Sequence, residues 1–523
     1  MNDQIHARRW WILSVLILSL VAVILDNTIL NVALPTIQQT LHASQSQQEW
    51  IVDSYVLVFA CLLFTAGVLA DCYGRRRMLV AGLLVFGAGS LASALATSPG
   101  WLIATRALMG IGGAAIMPST LSIISTVFEP AERGRAIGIW AGFSGMGIAA
   151  GPLAGGALLT HFWWGSVFLV NVPIVGIAVT AAMLIIPESR TPDRARIDVP
   201  GVLLSVAALG ALIFGIIRAG SDNSFTETTA WLPMATGVVL LVAFAFVESR
   251  SDHPALDIAL FRNRSFAAGS AAITAVFFAL FGATFFLTFY LQFVRAYSPF
   301  QAGLRLLPVA AAIVFLAPRS ARLVARFGPK SVVAGGLSLV AVAFVIYQFV
   351  DVHSSIWVVE LLLVLQGVGM ANTMAPATTA IMSALPRERA GAGAAVNNTT
   401  RQLGGALGVA ILGSVLSASY RAHAGSALAL LPSGTRRAAG ESIGGTLAVA
   451  RAHGGRSLLA AVRPAADGAF VQAMHLASLG SALVAAVGAV IVAVWLPGRD
   501  RAGTDTTYPG DTRHRAARAA AGV

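Results

Sequence analysis

Residues 67–77 read Gly67-Val68-Leu69-Ala70-Asp71-Cys72-Tyr73-Gly74-Arg75-Arg76-Arg77, and residues 324–330 read Val324-Ala325-Arg326-Phe327-Gly328-Pro329-Lys330. Each is a short basic turn with a glycine between two long apolar runs, and they stand about 254 positions apart. Nearly the same shift recurs twice. Gly110-Ile111-Gly112 with Pro118 is matched about 257 residues on by Gly367-Val368-Gly369 with Pro376, and Glu132-Arg133-Gly134 by Glu388-Arg389-Ala390-Gly391. Three stretches with one offset mark an internal repeat rather than the chance likeness of Gly- and Ala-rich helices.

Between such turns the chain is almost wholly apolar. Fourteen runs of about twenty residues, from 10–34 to 469–496, are each long enough to cross about 30 Å of hydrocarbon. Of the 523 residues 57% are hydrophobic and 11% charged, with a mean hydropathy of +0.77, whereas soluble domains carry about 25% charged residues. This composition excludes a soluble enzyme, because so few charges cannot cover the surface of so long a chain. An offset of eight runs preserves the direction of insertion, so runs 1–6 and 9–14 form parallel repeats with runs 7 and 8 between them. The expected fold is an all-α polytopic membrane protein of two six-helix bundles and two additional central helices. Its expected segments are 1–187, 188–265, 266–496 with a long outer loop at 419–468, and a cytoplasmic tail at 497–523.

The net charge of +12 does not point to nucleic acid, since most of the 35 basic residues fall in alternate short loops. That is the positive-inside pattern, and it places both termini in the cytoplasm. The first run follows Arg8 and Arg9, yet it is too long for a signal peptide and no cleavage pattern follows, so it is expected to remain as the first span. Cys61 and Cys72 offer neither a disulfide framework nor metal-ligand spacing. With no catalytic triad and no phosphate-binding loop in the sequence, the expected energy source is an ion gradient, with no cofactor.

Charged residues inside spans need water or a partner, at a cost of about 2.5 to 3.5 kcal/mol each on insertion scales. Asp26 lies about 12 Å from the outer end of its run, and Asp53 and Arg106 about 8 Å from theirs, so the three are expected in one layer. A carboxylate there titrates according to whether water, an arginine or a cationic drug faces it. A structural hydrogen bond for Asp26 and plain hydration for Asp53 are the competing readings. Glu360 is the one carboxylate well inside a second-half run, and the tenth and thirteenth runs have none. The ninth run carries Phe277, Phe278, Phe281, Phe285, Phe286, Phe289 and Tyr290. They suit either a pocket for flat lipophilic molecules or a lipid-facing surface.

Four motifs give the chain a resemblance to a known family. Leu25-Asp26-Asn27-Thr28-Ile29-Leu30-Asn31-Val32-Ala33-Leu34-Pro35 lies in the first run, and the turn at 67–77 follows the second. Arg106, Gly110, Gly112 and Ala114 are spaced along the fourth, and Gly147, Gly151, Pro152, Gly155 and Gly156 along the fifth. Together they resemble the major facilitator superfamily, and within it the fourteen-helix drug:proton antiporters of the EmrB/QacA type. The resemblance implies proton coupling through Asp26 and Arg106, while Asp53, Phe281, Phe285 and Glu360 are the candidate substrate contacts that the residues themselves suggest. The resemblance also implies a gating loop at Gly67, Asp71, Gly74 and Arg75, and an antiporter motif in the glycines and Pro152 of the fifth run. The implied function is proton-coupled export of hydrophobic or cationic drugs or antibiotics by a monomer in the cytoplasmic membrane. Its partners are the small molecule, protons and the bilayer. A dedicated exporter of a self-made metabolite would share every motif, and a non-transporting receptor or scaffold is the reading from another class.

Overall fold

The computed structural model describes residues 3–43, 45–189, 199–221, 225–250, 258–385, 390–440 and 442–497. Its first bundle holds α1 (Asp3–Leu41), α2 (Gln45–Tyr73), α3 (Arg75–Ala94), α4 (Pro99–Val127), α5 (Pro130–His161) and α6 (Asn171–Ile185). The pair α7 (Val199–Ser221) and α8 (Thr228–Arg250) follows. The second bundle holds α9 (Arg264–Phe289), α10 (Leu307–Phe327), α11 (Pro329–Ile346), α12 (Ile356–Ser383), α13 (Ala390–His423) and α14 (Ile443–Trp495). Thirteen of these are long and apolar enough to cross a bilayer among the described residues, and the 32-residue α5 takes the fifth place in the order. The fourteen runs of the sequence are thus fourteen helices.

Local chemistry sets the helix starts. Ser98 accepts a hydrogen bond from the Trp101 amide ahead of Pro99, and Asn263 accepts from the Ser265 and Phe266 amides, so orphan N–H groups at both starts are satisfied. Gly74 and Gly328, the paired glycines of the repeated turn, have φ of 111° and 80° and cap α3 and α11. An L side chain rarely adopts that backbone, so glycine is required where one span must reverse directly into the next.

The repeat reappears in the packing. A methyl group on Gly112 would lie 2.7 Å from the Gly82 carbonyl oxygen, and one on Gly369 would lie 2.6 Å from that of Gly336, so α3 meets α4 as α11 meets α12. Likewise Gly110 sits against the Tyr55 carbonyl of α2, and Gly367 against the Val309 carbonyl of α10. Helix association in lipid depends on such close backbone approach, because no water is expelled when apolar faces meet.

The two bundles meet along α5 and α10, where a methyl on Gly138 would reach the Ala317 carbonyl at 2.6 Å and one on Gly142 the Val314 Cα at 3.2 Å. The inserted pair α7 and α8 packs on α2 through Trp50 with Phe214 and Phe64 with Phe244. On the outside, Leu184, Val242, Leu483 and Val494 are well exposed, a surface whose solvent is lipid. One part of the expected plan is changed. Residues 419–468 are mostly helical rather than an open loop: α13 runs on to His423, short helical turns follow, and α14 begins at Ile443 with a break at Gly455.

If these glycines act by backbone approach, Gly112→Ala and Gly369→Ala should each destabilise the purified protein by about 1 to 3 kcal/mol. Gly176→Ala, which meets nothing within 4 Å, should not. Melting curves in detergent check this; equal melting for all three would refute the packing account.

Candidate functional site

The most buried charges lie inside the first bundle. Asp26 on α1 and Arg106 on α4 both have no exposed surface, and Arg106 Nη1 stands 2.5 Å from Asp26 Oδ2. Asn171, the first residue of α6, donates to Asp26 Oδ1 at 3.0 Å and to the Ser90 hydroxyl of α3 at 3.1 Å. Ser90 in turn donates to the Phe168 carbonyl at 2.8 Å. Arg106 Nε donates to the Ile51 carbonyl of α2 at 3.2 Å, and its guanidinium lies 4.4 Å from the centre of the Tyr55 ring. Five of the bundle's six helices therefore converge on one carboxylate and its arginine.

The pair is held by its surroundings as much as by its charges. Removing two ions from water costs several kcal/mol each, and their attraction offsets that only with good geometry and further hydrogen bonds. Asn171, Ile51 and Tyr55 supply these contacts. Sequence reading singled out the two charges but neither Asn171 nor Tyr55, since a lone amide and a lone phenol in apolar runs carry no spacing signal.

Asp53 stands at nearly the depth of Tyr55 on α2. It lies two residues from Tyr55, hence about 200° round α2, and is half-buried. Glu360 on α12 also has a partner, since Arg305 Nη1 reaches its Oε1 at 2.6 Å. A second carboxylate enters the helices of the second bundle because α14 starts early: Asp467 is buried there, with Arg463 Nε 3.5 Å away.

At the turn after α2, Asp71 accepts twice from Arg75, at 3.0 Å from Nε and 2.7 Å from Nη2. Gly67 is buried one turn before Asp71. Beyond it the chain is tied to the end of α6. The Arg75 amide donates to the Ser189 carbonyl, the Arg76 amide to Glu188, and the Arg76 guanidinium to the Ile186 carbonyl. Glu188 also faces Arg76 and Arg77, each at 3.7 Å, so the anchor of this loop is a residue that the motif does not contain. On the same side Arg9 grips Glu132 of α5 through two hydrogen bonds of 2.7 and 2.9 Å.

Along α5, Gly151 presses so close to Thr28 of α1 that no side chain fits between them, and Gly155 is buried while Gly156 is half-buried. Gly147 and Pro152 lie in the same helix, but their surroundings fall outside the described residues. On α9 the aromatic run divides between two faces. Phe286 and Tyr290 are buried, Phe286 against Phe344 and Tyr347, while Phe277 and Phe281 stack at 6.2 Å and Phe285 and Phe289 meet at 5.1 Å with tilted rings. Phe281 and Phe285 lie over Gly405 and Gly413 of α13, and Phe281 keeps 39% of its surface exposed. A cavity of about 500 Å³ opens between the ends of α5, α10, α12 and α14 that carry Gly134, Ala321, Thr379 and Leu496.

Residues 16–409 match the family model of the Major Facilitator Superfamily. The multidrug efflux pump LfrA of Mycolicibacterium smegmatis is 36% identical over 92% of this chain and 96% of its own length. The methyl viologen resistance protein SmvA of Salmonella typhimurium is 34% identical over 79% and 84%. Among solved structures, the human organic anion transporter MFSD10 superposes with a TM-score of 0.62 over 92% of this chain and 98% of its own, at 15% identity, which speaks for the fold alone.

Breaking the buried pair from one side should cost about 3 to 5 kcal/mol, because the remaining charge is left alone. In melting experiments Arg106→Met should therefore be far less stable than the native chain, and the double variant Asp26→Asn with Arg106→Met should recover part of the loss. Additive losses would show that the two side chains do not depend on each other.

Proposed function

This chain belongs to the major facilitator superfamily, on its drug-efflux branch, and we propose that it exports hydrophobic or cationic small molecules across the cytoplasmic membrane in exchange for protons. The observation that carries the coupling is the wholly buried pair of Asp26 and Arg106 at the meeting point of five helices. A carboxylate with an arginine on one oxygen and an amide on the other has two stable conditions. Ionised, it binds Arg106 and draws α1 to α4; protonated, it loses the charge attraction, and Arg106 keeps the Ile51 carbonyl and the Tyr55 ring. Proton uptake from the outer side and release to the cytoplasm would alternate these conditions, and the helices carrying the two groups would move with them.

The substrate path runs between the bundles, from the cavity near Gly134 and Ala321 toward Phe281 and Phe285. The ties of Arg75, Arg76 and Arg77 to α6, together with Arg9 on Glu132, act as latches that favour one arrangement. Gly151 allows α5 to slide on α1. Asp53 and Glu360 remain candidate substrate contacts near the outer end of the path, Glu360 only after Arg305 lets go. Both termini lie in the cytoplasm, and one chain suffices for transport. One proton charge crossing 100 mV supplies roughly 2.3 kcal/mol, enough for about a 50-fold drug gradient. Export of one self-made metabolite uses the same machinery and differs only in the breadth of substrates accepted.

In everted vesicles with an imposed proton gradient, the Asp26→Asn protein should lose uphill transport of every drug tested while still binding drug in detergent. Normal proton-driven transport by that variant would remove Asp26 from the coupling role. A reporter active only in the cytoplasm should work when fused after residue 500 and be silent when inserted near Ser433. The opposite pair of results would reverse the orientation.

A further inference from the structure

One charged side chain in the transport region has no counterpart. Arg401 on α13 is 9% exposed, and among the described residues it donates no hydrogen bond and forms no ion pair. Its guanidinium lies 5.3 Å from the ring centre of Trp140 and 4.5 Å from that of Phe277. Trp140 is buried on α5 and donates to the Thr120 hydroxyl, whereas Phe277 belongs to α9, so Arg401 sits at the seam between the bundles. One turn away on the same face of α13, Asn397 has no exposed surface; its Oδ1 accepts from Thr378, and its Nδ2 has no partner. Phe281, stacked on Phe277, is the ring of this group with the most exposed surface, 39%.

A guanidinium presents five donors and no acceptor, and burying it without an anion is costly. Aromatic faces compensate part of the charge, but they leave the in-plane N–H groups unanswered. The Asn397 amide adds a second unanswered donor one helical turn away. Two donors in an aromatic slot call for a flat ring that carries a negatively charged oxygen. We propose, resting on the export reading above, that Arg401 and Asn397 form a substrate subsite for aromatic anions. The ring lies with Phe277, Phe281 and Trp140, and the anionic oxygen meets the guanidinium. Cationic substrates must then pass without using Arg401, whose charge disfavours them.

The test uses everted vesicles and two radiolabelled probes, 2-naphthalenesulfonate as the aromatic anion and ethidium as the aromatic cation. The native protein should take up both, with uptake abolished when an ionophore collapses the proton gradient. Arg401→Gln should lower naphthalenesulfonate uptake at least about tenfold, the size of a lost charge-assisted hydrogen bond, while ethidium uptake stays level or rises. That retained ethidium uptake also shows that the variant is folded. Arg401→Lys, which keeps the charge but not the planar stack, should fall between. Unchanged naphthalenesulfonate uptake in Arg401→Gln, or equal loss of both probes, overturns the subsite. Native uptake of ethidium alone overturns it too and leaves the export function standing, whereas native uptake of neither probe overturns the export reading and the subsite with it.

Discussion

A carboxylate that no water reaches has to be matched inside the protein, and the first bundle is arranged around meeting that demand at Asp26. Arg106 supplies the opposite charge, Asn171 the second hydrogen bond, and Ser90, Ile51 and Tyr55 hold those two partners. With Asp26 itself these groups come from five helices, so the demand of one carboxyl group brings α1, α2, α3, α4 and α6 to a common point. A hydrophobic pair of the same size would pack there without cost. It would also have only one state, and a carrier needs two.

Elsewhere the bundles are held by absence of side chains. In lipid, apolar surface has no water to escape, so helices associate through close packing and backbone approach. Gly82 with Gly112 and Gly336 with Gly369 provide that approach twice, at places that correspond across the repeat. Gly138 and Gly142 provide it between the bundles, where α5 runs along α10. Charged ties such as Arg9 with Glu132 in the first bundle and Arg305 with Glu360 in the second stay within one bundle each.

The two bundles also differ in how they treat a buried arginine. The first bundle neutralises its buried arginine internally; the second leaves Arg401 facing two aromatic rings at the seam. An ion pair closed within one bundle suits a proton, which needs one carboxylate. A cation buried between rings of both bundles, with no carboxylate on it among the described residues, is what the proposed anion subsite rests on. The two halves, equal in their glycine packing, thus differ in the polar groups they bury.

The sequence by itself determined the number of spans, their order, the repeat and the family, because these depend on one-dimensional quantities: the length of apolar runs, the spacing of turns and the offset between matching glycines. Asp26 and Arg106 were legible for the same reason, as charges that stand out where almost nothing is charged. Their partners were not. Asn171 lies 145 residues from Asp26 and Glu188 lies 112 from Arg76, and no local spacing links either pair. The tertiary structure also drew Glu360 to Arg305, made 419–468 largely helical, and left Arg401 between Trp140 and Phe277. A side chain's position along its span is set by counting residues, but its neighbours are set by how helices rotate and cross, and that is a property of the packed bundles alone.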